Sequence, residues 1–315
     1  MTKKTSQSQF SPWVCRAAFP LVSGSFYLTQ IALAYSVHRD WIWLSIPLML
    51  LASHFMHGLL IGFHEASHGC LRKSHFLNEL DGILVGILSY TSLTLYRALH
   101  QSHHVHFATE KDAELWPFVQ VDSPLWLRRL AAFTELNFGL FFTPFLFWRG
   151  FFGKDSDIRN KKLRRRIWME LILAVVFWIV AIAVVARFQL WPWYFWNYFA
   201  PAFIAGNLQS WRKYIEHVGL SGNTARSATR SIVADTWSGH FVSMMLLHEP
   251  LHGIHHLQAK LPHFELPRHI DKLEPTEDGD TVPFPNYRAA IADLLRKLPD
   301  PKAGSQWEKA SRAKA

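Results

Sequence analysis

Eight histidines of this chain fall into three short clusters whose spacing suits metal binding. One cluster has the spacing H-x-x-x-H, and two have the spacing H-x-x-H-H. Residues three or four positions apart lie on the same face of a helix, so each cluster can direct its imidazoles at one point. The histidines are His64 and His68; His100, His103 and His104; and His252, His255 and His256. Neutral imidazole is the commonest metal ligand, and eight ligands exceed what one ion uses. The sequence therefore predicts a multi-histidine, dinuclear metal site.

Two other metal-dependent classes compete with this interpretation. The first cluster, 64–68 (HEASH), also fits the zinc-hydrolase motif H-E-x-x-H, in which Glu65 would be the general base. A zinc hydrolase would leave the two H-x-x-H-H clusters unexplained. A histidine-lined metal transporter would need its ligands inside the bilayer, whereas these clusters lie beyond the ends of the apolar runs.

Four long apolar runs indicate the elements that must position these clusters. They cover 17–37, 41–63, 167–186 and 190–208, and about 20 apolar residues suffice to cross a bilayer. We expect an all-α integral membrane protein with about four transmembrane helices in two hairpins. Two shorter apolar stretches, 80–96 and 134–152, are predicted to be re-entrant or interfacial. All three clusters would then form a histidine-rich cap on the cytoplasmic side.

The charge distribution predicts the orientation. The chain has a net charge of +9, and a dense basic run at 149–166 precedes the third apolar run. Positive charge concentrates on the cytoplasmic side of membrane proteins, so we expect both termini and the active site in the cytoplasm, at the plasma membrane of a bacterium. The N-terminus shows no pattern of a cleavable signal peptide. A nucleic-acid partner is disfavoured because the basic run abuts an apolar run and forms no recognisable nucleic-acid module.

Three segments follow from these patterns. We expect a cytoplasmic N-terminal tail at 1–16, a membrane domain at 17–262 and a cytoplasmic C-terminal segment at 263–315. The last segment is rich in proline at its start, and its apolar spacing predicts an amphipathic helix over about 286–298. Only two cysteines are present, which excludes a disulfide framework.

The three clusters resemble the histidine boxes of the membrane fatty acid desaturase and hydroxylase superfamily. The boxes are 64–68 (HEASH), 100–104 (HQSHH) and 252–256 (HGIHH). The sequence after the third box, which ends in LPHFELP at 261–267, is similar to the sequence that follows this box in acyl-lipid desaturases. A fourth segment, 213–220 (KYIEHVGL), resembles the Asn-Tyr-x-Glu-His-Tyr-Gly-Leu motif of membrane alkane monooxygenases, with Lys213 and Val218 as departures.

The resemblance implies two iron ions held by nine histidines. The eight clustered histidines would be iron ligands, and His217 of the fourth segment would be the ninth. Four acidic residues are candidates to orient imidazoles through their outer N–H groups, as carboxylates commonly do at metal sites. They are Glu65, Asp112, Glu216 and Glu249.

The implied activity is an O2-dependent oxidation of an apolar, fatty acyl chain in the membrane. Desaturation is favoured by the boxes and the LPHFELP continuation. Hydroxylation of a fatty acid or alkane, and decarboxylation of a fatty acid to a terminal alkene, remain open because of the fourth segment. Such an enzyme needs an external electron donor of the ferredoxin, rubredoxin or cytochrome type, together with its reductase. The basic run 149–166 could bind that donor or the headgroups of membrane lipid.

Overall fold

A computed structural model describes residues 10–154 and 156–312, and these residues are helical with loops between the helices. Within them the one β contact is an isolated bridge between Ile232 and Phe284. A π-helical turn, Phe195–Phe199, follows α8, and short 3₁₀ helices cover Glu249–Leu251 and Leu266–Leu273. The α-helices are α1 (Pro12–Arg16), α2 (Ala18–His38), α3 (Ile42–Ser67), α4 (His75–Leu88), α5 (Leu93–Val105), α6 (Leu125–Phe152), α7 (Lys161–Arg187), α8 (Trp191–Tyr194), α9 (Ala200–His217), α10 (Trp237–Met245), α11 (His252–Leu257), α12 (Tyr287–Lys297) and α13 (Gln306–Arg312).

The first predicted hairpin is present as α2 and α3. The two helices pack along each other and are joined by a tight turn at 39–41. Asp40 takes the left-handed conformation in this turn (φ 55°), which aspartate adopts more readily than most residues. Ser36 of α2 and Ser45 of α3 share a buried hydrogen bond of 2.9 Å. This contact satisfies two hydroxyl groups that would otherwise be costly to bury in an apolar environment.

Among the described residues, three helices are long and apolar enough to cross a membrane: α3, α6 and α7. The pair α4 and α5 would count as a fourth span if the two were one element, but they meet at a bend of 98°. This confirms the fold class predicted from the sequence, which is an all-α membrane protein with about four spans.

The individual spans differ from the predicted set. The helix α2, over the predicted run 17–37, falls short of a membrane span in mean hydropathy because serine, threonine and glutamine interrupt it. The run 190–208 is divided among α8, the π-helical turn and α9, and none of these pieces qualifies. Conversely, α6 qualifies as a span, although its part 134–152 is predicted from the sequence to be re-entrant or interfacial. Its kink at Phe138 is stabilised because the Gly139 N–H donates to Asn207 Oδ1 at 2.8 Å, and so the polar backbone at the kink is satisfied.

The chain divides into two compact units, each formed by separate stretches of sequence. The hydrophobic unit consists of 17–97 and 138–209, and it contains α2, α3, α4, α7 and α8. The histidine unit consists of 98–137 and 210–312 together with the described residues up to Arg16. Each unit is described separately below.

The third apolar run, 167–186, contains one charged residue, Glu170, which is buried in the hydrophobic unit. Its carboxylate accepts hydrogen bonds from the hydroxyl groups of Ser92 at 2.6 Å and Thr94 at 2.5 Å. It also accepts one from the Thr94 backbone N–H at 2.9 Å and one from Arg166 Nε at 3.0 Å. Arg166 pairs in addition with Glu79 of α4. Because buried carboxylates need such partners, this network ties α4, α5 and α7 together.

Replacing Glu170 with glutamine is expected to destabilise the protein by about 1–3 kcal/mol. The amide keeps one acceptor but loses the charge that pairs with Arg166, and its NH2 group opposes the donors of Thr94. Thermal unfolding in detergent measures the change, with Glu274→Gln, at an exposed position, as the matched control. Equal melting temperatures for the two variants would contradict the role of this network.

The ends of the chain can be compared with the three predicted segments. Residues 1–9 of the predicted tail 1–16 lie outside the described residues, and α1 begins at Pro12. The amphipathic helix predicted over 286–298 is confirmed as α12, which buries Ala290 and Leu294. Its N-cap is Asn286, whose side chain accepts a hydrogen bond from the Ala289 N–H at 3.0 Å. The boundaries 17–262 and 263–315 stay a prediction.

Candidate metal centre

Two helices of the histidine unit position the second and third histidine boxes. The box 100–104 occupies the C-terminal half of α5, and 252–256 forms most of α11. Both boxes therefore have the helical geometry that their spacing predicts. The helix α11 begins immediately after the 3₁₀ turn Glu249–Leu251. Leu247 and His248, which precede that turn, have left-handed φ values of 51° and 56°. This reversal of the chain sets the direction in which α11 starts.

A first group of imidazoles contains His103, His217, His252 and His256. The Nε2 atom of His252 lies 2.9 Å from Nε2 of His217 and 3.0 Å from Nε2 of His256. One ligand nitrogen from each of His103, His217 and His256 lies within 4.8 Å of the other two. Three helices, α5, α9 and α11, thus bring four imidazoles together. We call these four residues group 1.

A second group contains His100, His104 and His255. The Nε2 atom of His104 lies 3.2 Å from Nε2 of His100 and 3.1 Å from Nε2 of His255. We call these three residues group 2. The second box is therefore divided, with His103 in group 1 and His100 and His104 in group 2. The third box is divided as well, with His252 and His256 in group 1 and His255 in group 2.

The outer nitrogens of several imidazoles are held by acceptors. The Nδ1–H of His103 donates to Asp112 at 2.8 Å, and that of His252 donates to Glu249 at 2.9 Å. The Nδ1–H of His100 donates to Glu114 at 3.1 Å. In group 1, His217 directs Nδ1 at the Ala228 carbonyl oxygen at 3.4 Å. With the proton on Nδ1, the lone pair of each ring sits on Nε2, where a metal ligand needs it.

The donor set fits metal ions. His217 and His252 both direct Nδ1 at an acceptor, so their Nε2 lone pairs face each other across 2.9 Å and repel, and a cation between them would be favourable. With metal–nitrogen bonds of about 2.1 Å, two ligands at right angles lie about 3.0 Å apart. The Nε2 separations of 2.9 to 3.2 Å match that value. The all-imidazole donor set suits iron, copper, zinc and nickel alike, so the choice of metal needs other information.

Replacing Asp112 with asparagine is expected to weaken iron binding about 10- to 100-fold. The amide loses the charge that fixes His103 by its Nδ1–H, although an amide oxygen in the place of Oδ2 can still accept the backbone N–H of Ala108. Competition with a chelator of known affinity, followed by elemental analysis, measures the change. Asp122→Asn, at an exposed position, is the control. Unchanged iron retention would show that Asp112 does not orient His103.

A buried arginine links two further carboxylates beside group 1. Arg212 on α9 donates through Nη1 to both oxygens of Glu216 at 2.8 Å and to Glu249 at 2.5 Å. Burial raises the pKa of the Glu216 carboxyl well above its usual range, against Arg212, which acts to lower it. The Glu249 carboxylate in turn holds His252. Arg212 thus holds the Glu249 carboxylate, which in turn holds the His252 imidazole of group 1.

Carboxyl groups outnumber cationic side chains around the two groups. The cations are Arg212 and Lys213, and Lys213 pairs with Glu135. The carboxylates close to them are Asp112, Glu114, Glu135, Glu216 and Glu249. Burial raises the pKa of Glu114 to about 7, as expected for a carboxyl group in a dry, acidic neighbourhood. Bound cations would stabilise such an excess of buried carboxyl groups in their ionised form.

The first histidine box lies in the hydrophobic unit, at the end of α3. His64 belongs to the last turn of that helix and His68 is its C-cap, and their ring centroids are 5.1 Å apart. His64 is buried, and the ring of Tyr96 lies 6.5 Å from its own. The spacing H-x-x-x-H therefore places both imidazoles on one face of α3, as predicted.

A clamp of two side chains fixes the end of α3 that carries this box. Arg97 donates to the carbonyl oxygens of Ser67 at 2.9 Å and Ala66 at 3.1 Å, and Asn78 donates to Ala66 O at 2.9 Å. Glu79 pairs with Arg97. The last carbonyl groups of a helix lack partners within the helix and attract cations, so this clamp both satisfies and orients them.

Seven of the nine predicted ligands are therefore gathered within the histidine unit, and the other two share a helix end in the hydrophobic unit. Of the four candidate orienting carboxylates, Asp112 and Glu249 contact imidazole Nδ1 atoms, and Glu216 contacts Arg212. Glu65 is buried in the hydrophobic unit. The sequence-based interpretation missed Glu114 and Arg212. The position of Glu114, two residues after Asp112 and close behind the second box, is the signal that could have identified it.

The sequence is similar to known proteins. The family model described as fatty acid desaturase matches residues 41–289. A fatty acid desaturase of Bacillus subtilis is 25% identical over 271 residues, which is 80% of this chain and 74% of that protein. Alkane 1-monooxygenase 1 of Pseudomonas aeruginosa is 24% identical over 300 residues, which is 92% of this chain and 72% of that protein.

Proposed function

Because the chain belongs to the fatty acid desaturase family, we propose that this membrane oxidoreductase is a di-iron enzyme that desaturates a fatty acyl chain with O2. The observation that carries the proposal is the pair of imidazole groups with Nε2 atoms 2.9 to 3.2 Å apart. Two groups of imidazoles that could each bind an ion support a dinuclear oxygen-activating centre. The family match favours iron and oxidation over the zinc hydrolase built on HEASH.

The proposed ligands are the nine histidines of the boxes and the fourth segment. Group 1 would hold one iron, and group 2 would contribute ligands to the other. His64 and His68 are proposed as the remaining ligands on the basis of the histidine-box motif. When bound, the irons supply O2 activation strong enough to break an unactivated C–H bond.

The side chains around the groups keep them dry and fixed. Phe107 lies against His256, with ring centroids 4.2 Å apart, and against His103 at 5.3 Å. Phe107, His103 and His252 are all buried. Such surroundings exclude water, while Asp112 and Glu249 hold the imidazole Nδ1 protons and prevent the rings from turning.

An apolar cavity beside the first box supports a hydrocarbon substrate. It measures about 60 Å³ and lies within the hydrophobic unit, where Phe63, Tyr96, Leu140 and Phe147 line it. Phe63 precedes His64 directly, and Tyr96 packs against Phe63 with ring centroids 4.8 Å apart. A cavity of this size and lining accepts a few methylene groups more readily than a polar molecule.

Desaturation is proposed before hydroxylation on two observations. The LPHFELP continuation at 261–267 is similar to that of acyl-lipid desaturases, and one relative carries the name fatty acid desaturase. The alternative is hydroxylation of an alkane or fatty acid, which the second relative's name and the place of His217 in group 1 support. Decarboxylation to a terminal alkene is a third outcome of the same chemistry.

We place the active site and both termini on the cytoplasmic side of a bacterial inner membrane. The basic run 149–166 beside α7 supports this orientation, since positive charge stays on that side. Part of the run is engaged in local contacts: Arg164 donates to Ile158 O at 3.1 Å, and Arg166 pairs with Glu79 and Glu170.

Metal content and product analysis test the proposal together. Purified protein from iron-replete cells is expected to hold about two irons per chain, as a dinuclear histidine site requires. Lipid and hydrocarbon profiles of cells with and without the protein are expected to differ by an internal alkene, and the His255→Ala variant is expected to lack it. A hydroxy acid or a terminal alkene would select an alternative oxidation. About one zinc without iron would contradict the proposal.

A further inference from the structure

A surface groove of about 470 Å³ lies on the histidine unit, between 219–221, 296–304 and α13. Backbone hydrogen bonds form its floor: the Gly219 N–H donates to Lys302 O at 2.7 Å, and the Gly304 N–H donates to Leu220 O at 2.9 Å. Gly219 follows His217 by two residues. The groove is therefore built directly on the segment that leaves group 1.

One aromatic side chain in the groove, Trp307, is partly exposed and firmly held. Its indole N–H donates to the Phe118 carbonyl oxygen at 2.7 Å. The Arg128 guanidinium lies 4.4 Å and the Lys302 ammonium 5.0 Å from its ring centroid, which are cation–π distances. Tryptophan and arginine are enriched at protein interfaces, and a tryptophan fixed in this way binds a partner at low entropic cost.

Packed side chains connect Trp307 with group 1. Phe118, which accepts the indole hydrogen bond, contacts the ring of Tyr214 edge-on with centroids 5.4 Å apart. Both Phe118 and Tyr214 are fully buried. Tyr214 precedes His217 by three residues on α9 and shares a face of that helix with it. A hydrogen bond and a ring contact thus lead from Trp307 to Tyr214, and one turn of α9 leads from Tyr214 to His217, a short path of the kind that supports electron tunnelling.

Cations outnumber acids around the groove. The acidic side chains are Asp293, Asp300 and Glu308, and two of them pair with cations: Asp293 with Lys297 at 3.0 Å and Asp300 with Lys302 at 2.6 Å. The basic side chains are Arg128, Arg129, Arg296, Lys297, Lys302 and Lys309. Arg129, Arg296 and Lys309 are exposed. A surface of this sign attracts a negatively charged protein over a distance of about a Debye length, roughly 10 Å at 0.1 M salt.

We propose that this groove binds an acidic one-electron-carrier protein, and that Trp307, Phe118 and Tyr214 form the route from the carrier to group 1. The inference rests on the proposed function, because only an oxygen-dependent oxidation needs the electrons. Desaturation removes two hydrogens from the acyl chain. With O2, two protons from solvent and two electrons delivered one at a time by the carrier, it yields an alkene and two waters. Hydroxylation consumes the same two electrons and two protons and yields an alcohol and one water.

Turnover with two reductants separates carrier binding from the chemistry. The full-length protein in nanodiscs of zwitterionic lipid receives electrons either from an acidic [2Fe–2S] ferredoxin with its NADPH-dependent reductase, or from dithionite with methyl viologen. The double variant Arg296→Glu/Lys302→Glu is expected to weaken direct binding of ferredoxin to the nanodisc-embedded protein about tenfold, measured without turnover by surface plasmon resonance, because the steering charge is reversed. The KM for ferredoxin should rise by a similar factor and depend less on salt. The rate of the double variant with dithionite is expected to equal that of the wild type.

Trp307→Leu tests the route. We expect a fall of about tenfold in kcat at saturating ferredoxin, because the route loses its first aromatic ring while carrier binding is already saturated. Trp307→Phe keeps a ring and should change kcat less, and neither variant should change the rate with dithionite. The control is Lys161→Glu/Arg165→Glu, which reverses two exposed charges of the basic run 149–166. Loss of ferredoxin turnover in this control, with normal turnover in the groove variants, would move the carrier site to α7 and overturn the proposal.

Other outcomes are also decisive. Equal loss with both reductants would show that the groove supports the fold of the site and receives no carrier. An effect of charge reversal that appears only with phosphatidylglycerol in the nanodiscs would assign the groove to lipid headgroups. Failure of acidic ferredoxin, rubredoxin and cytochrome b5-type donors to support turnover, while dithionite does so, would overturn the carrier proposal alone. Wild-type protein that is inactive with every reductant would overturn the proposed function, and the carrier site with it.

Discussion

The His256→Ala variant is expected to lose the iron of group 1 and to lose activity by at least about 100-fold, since ligand loss exceeds the 10- to 100-fold cost of losing an outer-shell partner. The His256 imidazole faces His252 at 3.0 Å and shares its cluster with His103 and His217, so no other side chain can take its place. The apoprotein should fold, because the substitution removes one of several imidazoles whose lone pairs repel in the absence of a cation.

Elemental analysis and product formation measure this loss in parallel. The control is His75→Ala, which replaces an exposed histidine at the start of α4. It is expected to retain about two irons per chain and full activity, as the nine-ligand assignment requires. A His256→Ala protein with unchanged iron and unchanged turnover would remove His256 from the metal centre and leave group 1 without its proposed role.

Replacing Arg212 with methionine is expected to destabilise the protein by about 3–5 kcal/mol. The change leaves Glu216 and Glu249 buried without the guanidinium that now donates to both. Methionine keeps the length and the helix propensity of the side chain on α9, so the effect reports the charge. Iron binding should weaken as well, because Glu249 holds His252.

A triple variant distinguishes charge from shape. Adding Glu216→Gln and Glu249→Gln to Arg212→Met removes the two unpaired negative charges, and most of the lost stability should return. Arg288→Met, at an exposed position of α12, is the control and should change the melting temperature little. A triple variant no more stable than Arg212→Met would indicate that the arginine acts through packing.

The helical histidine boxes could be predicted because their signal is local. Spacings of three and four residues predict that His100, His103 and His104 share a helix face, and the helix α5 confirms this. The same spacing cannot tell which imidazole joins which group, since all three point to one side. The division between group 1 and group 2 depends on how α5, α9 and α11 approach one another, and that information is distributed over the whole histidine unit.

The contacts that orient the site could not be predicted for a related reason. Arg212 and Glu249 are 37 residues apart, and no local pattern connects them. The long apolar runs were a better guide to helices than to membrane spans. The stretch 134–152 within α6 was interpreted as re-entrant or interfacial because Gly139 and Pro144 interrupt it. In the structure Asn207, on another helix, satisfies the backbone N–H at the kink.

The division of each box between two groups has a consequence for metal loading. Both α5 and α11 carry histidines of group 1 and of group 2. A movement of either helix therefore changes the geometry of both proposed metal positions at once. Occupation of one position fixes the helices in the arrangement that the other needs, and the second ion then binds with less ordering cost. We therefore expect positive cooperativity, with empty and fully loaded chains predominating over half-loaded ones. Insertion of a single residue within 100–104 would rotate part of that box by about 100° and disable both positions together.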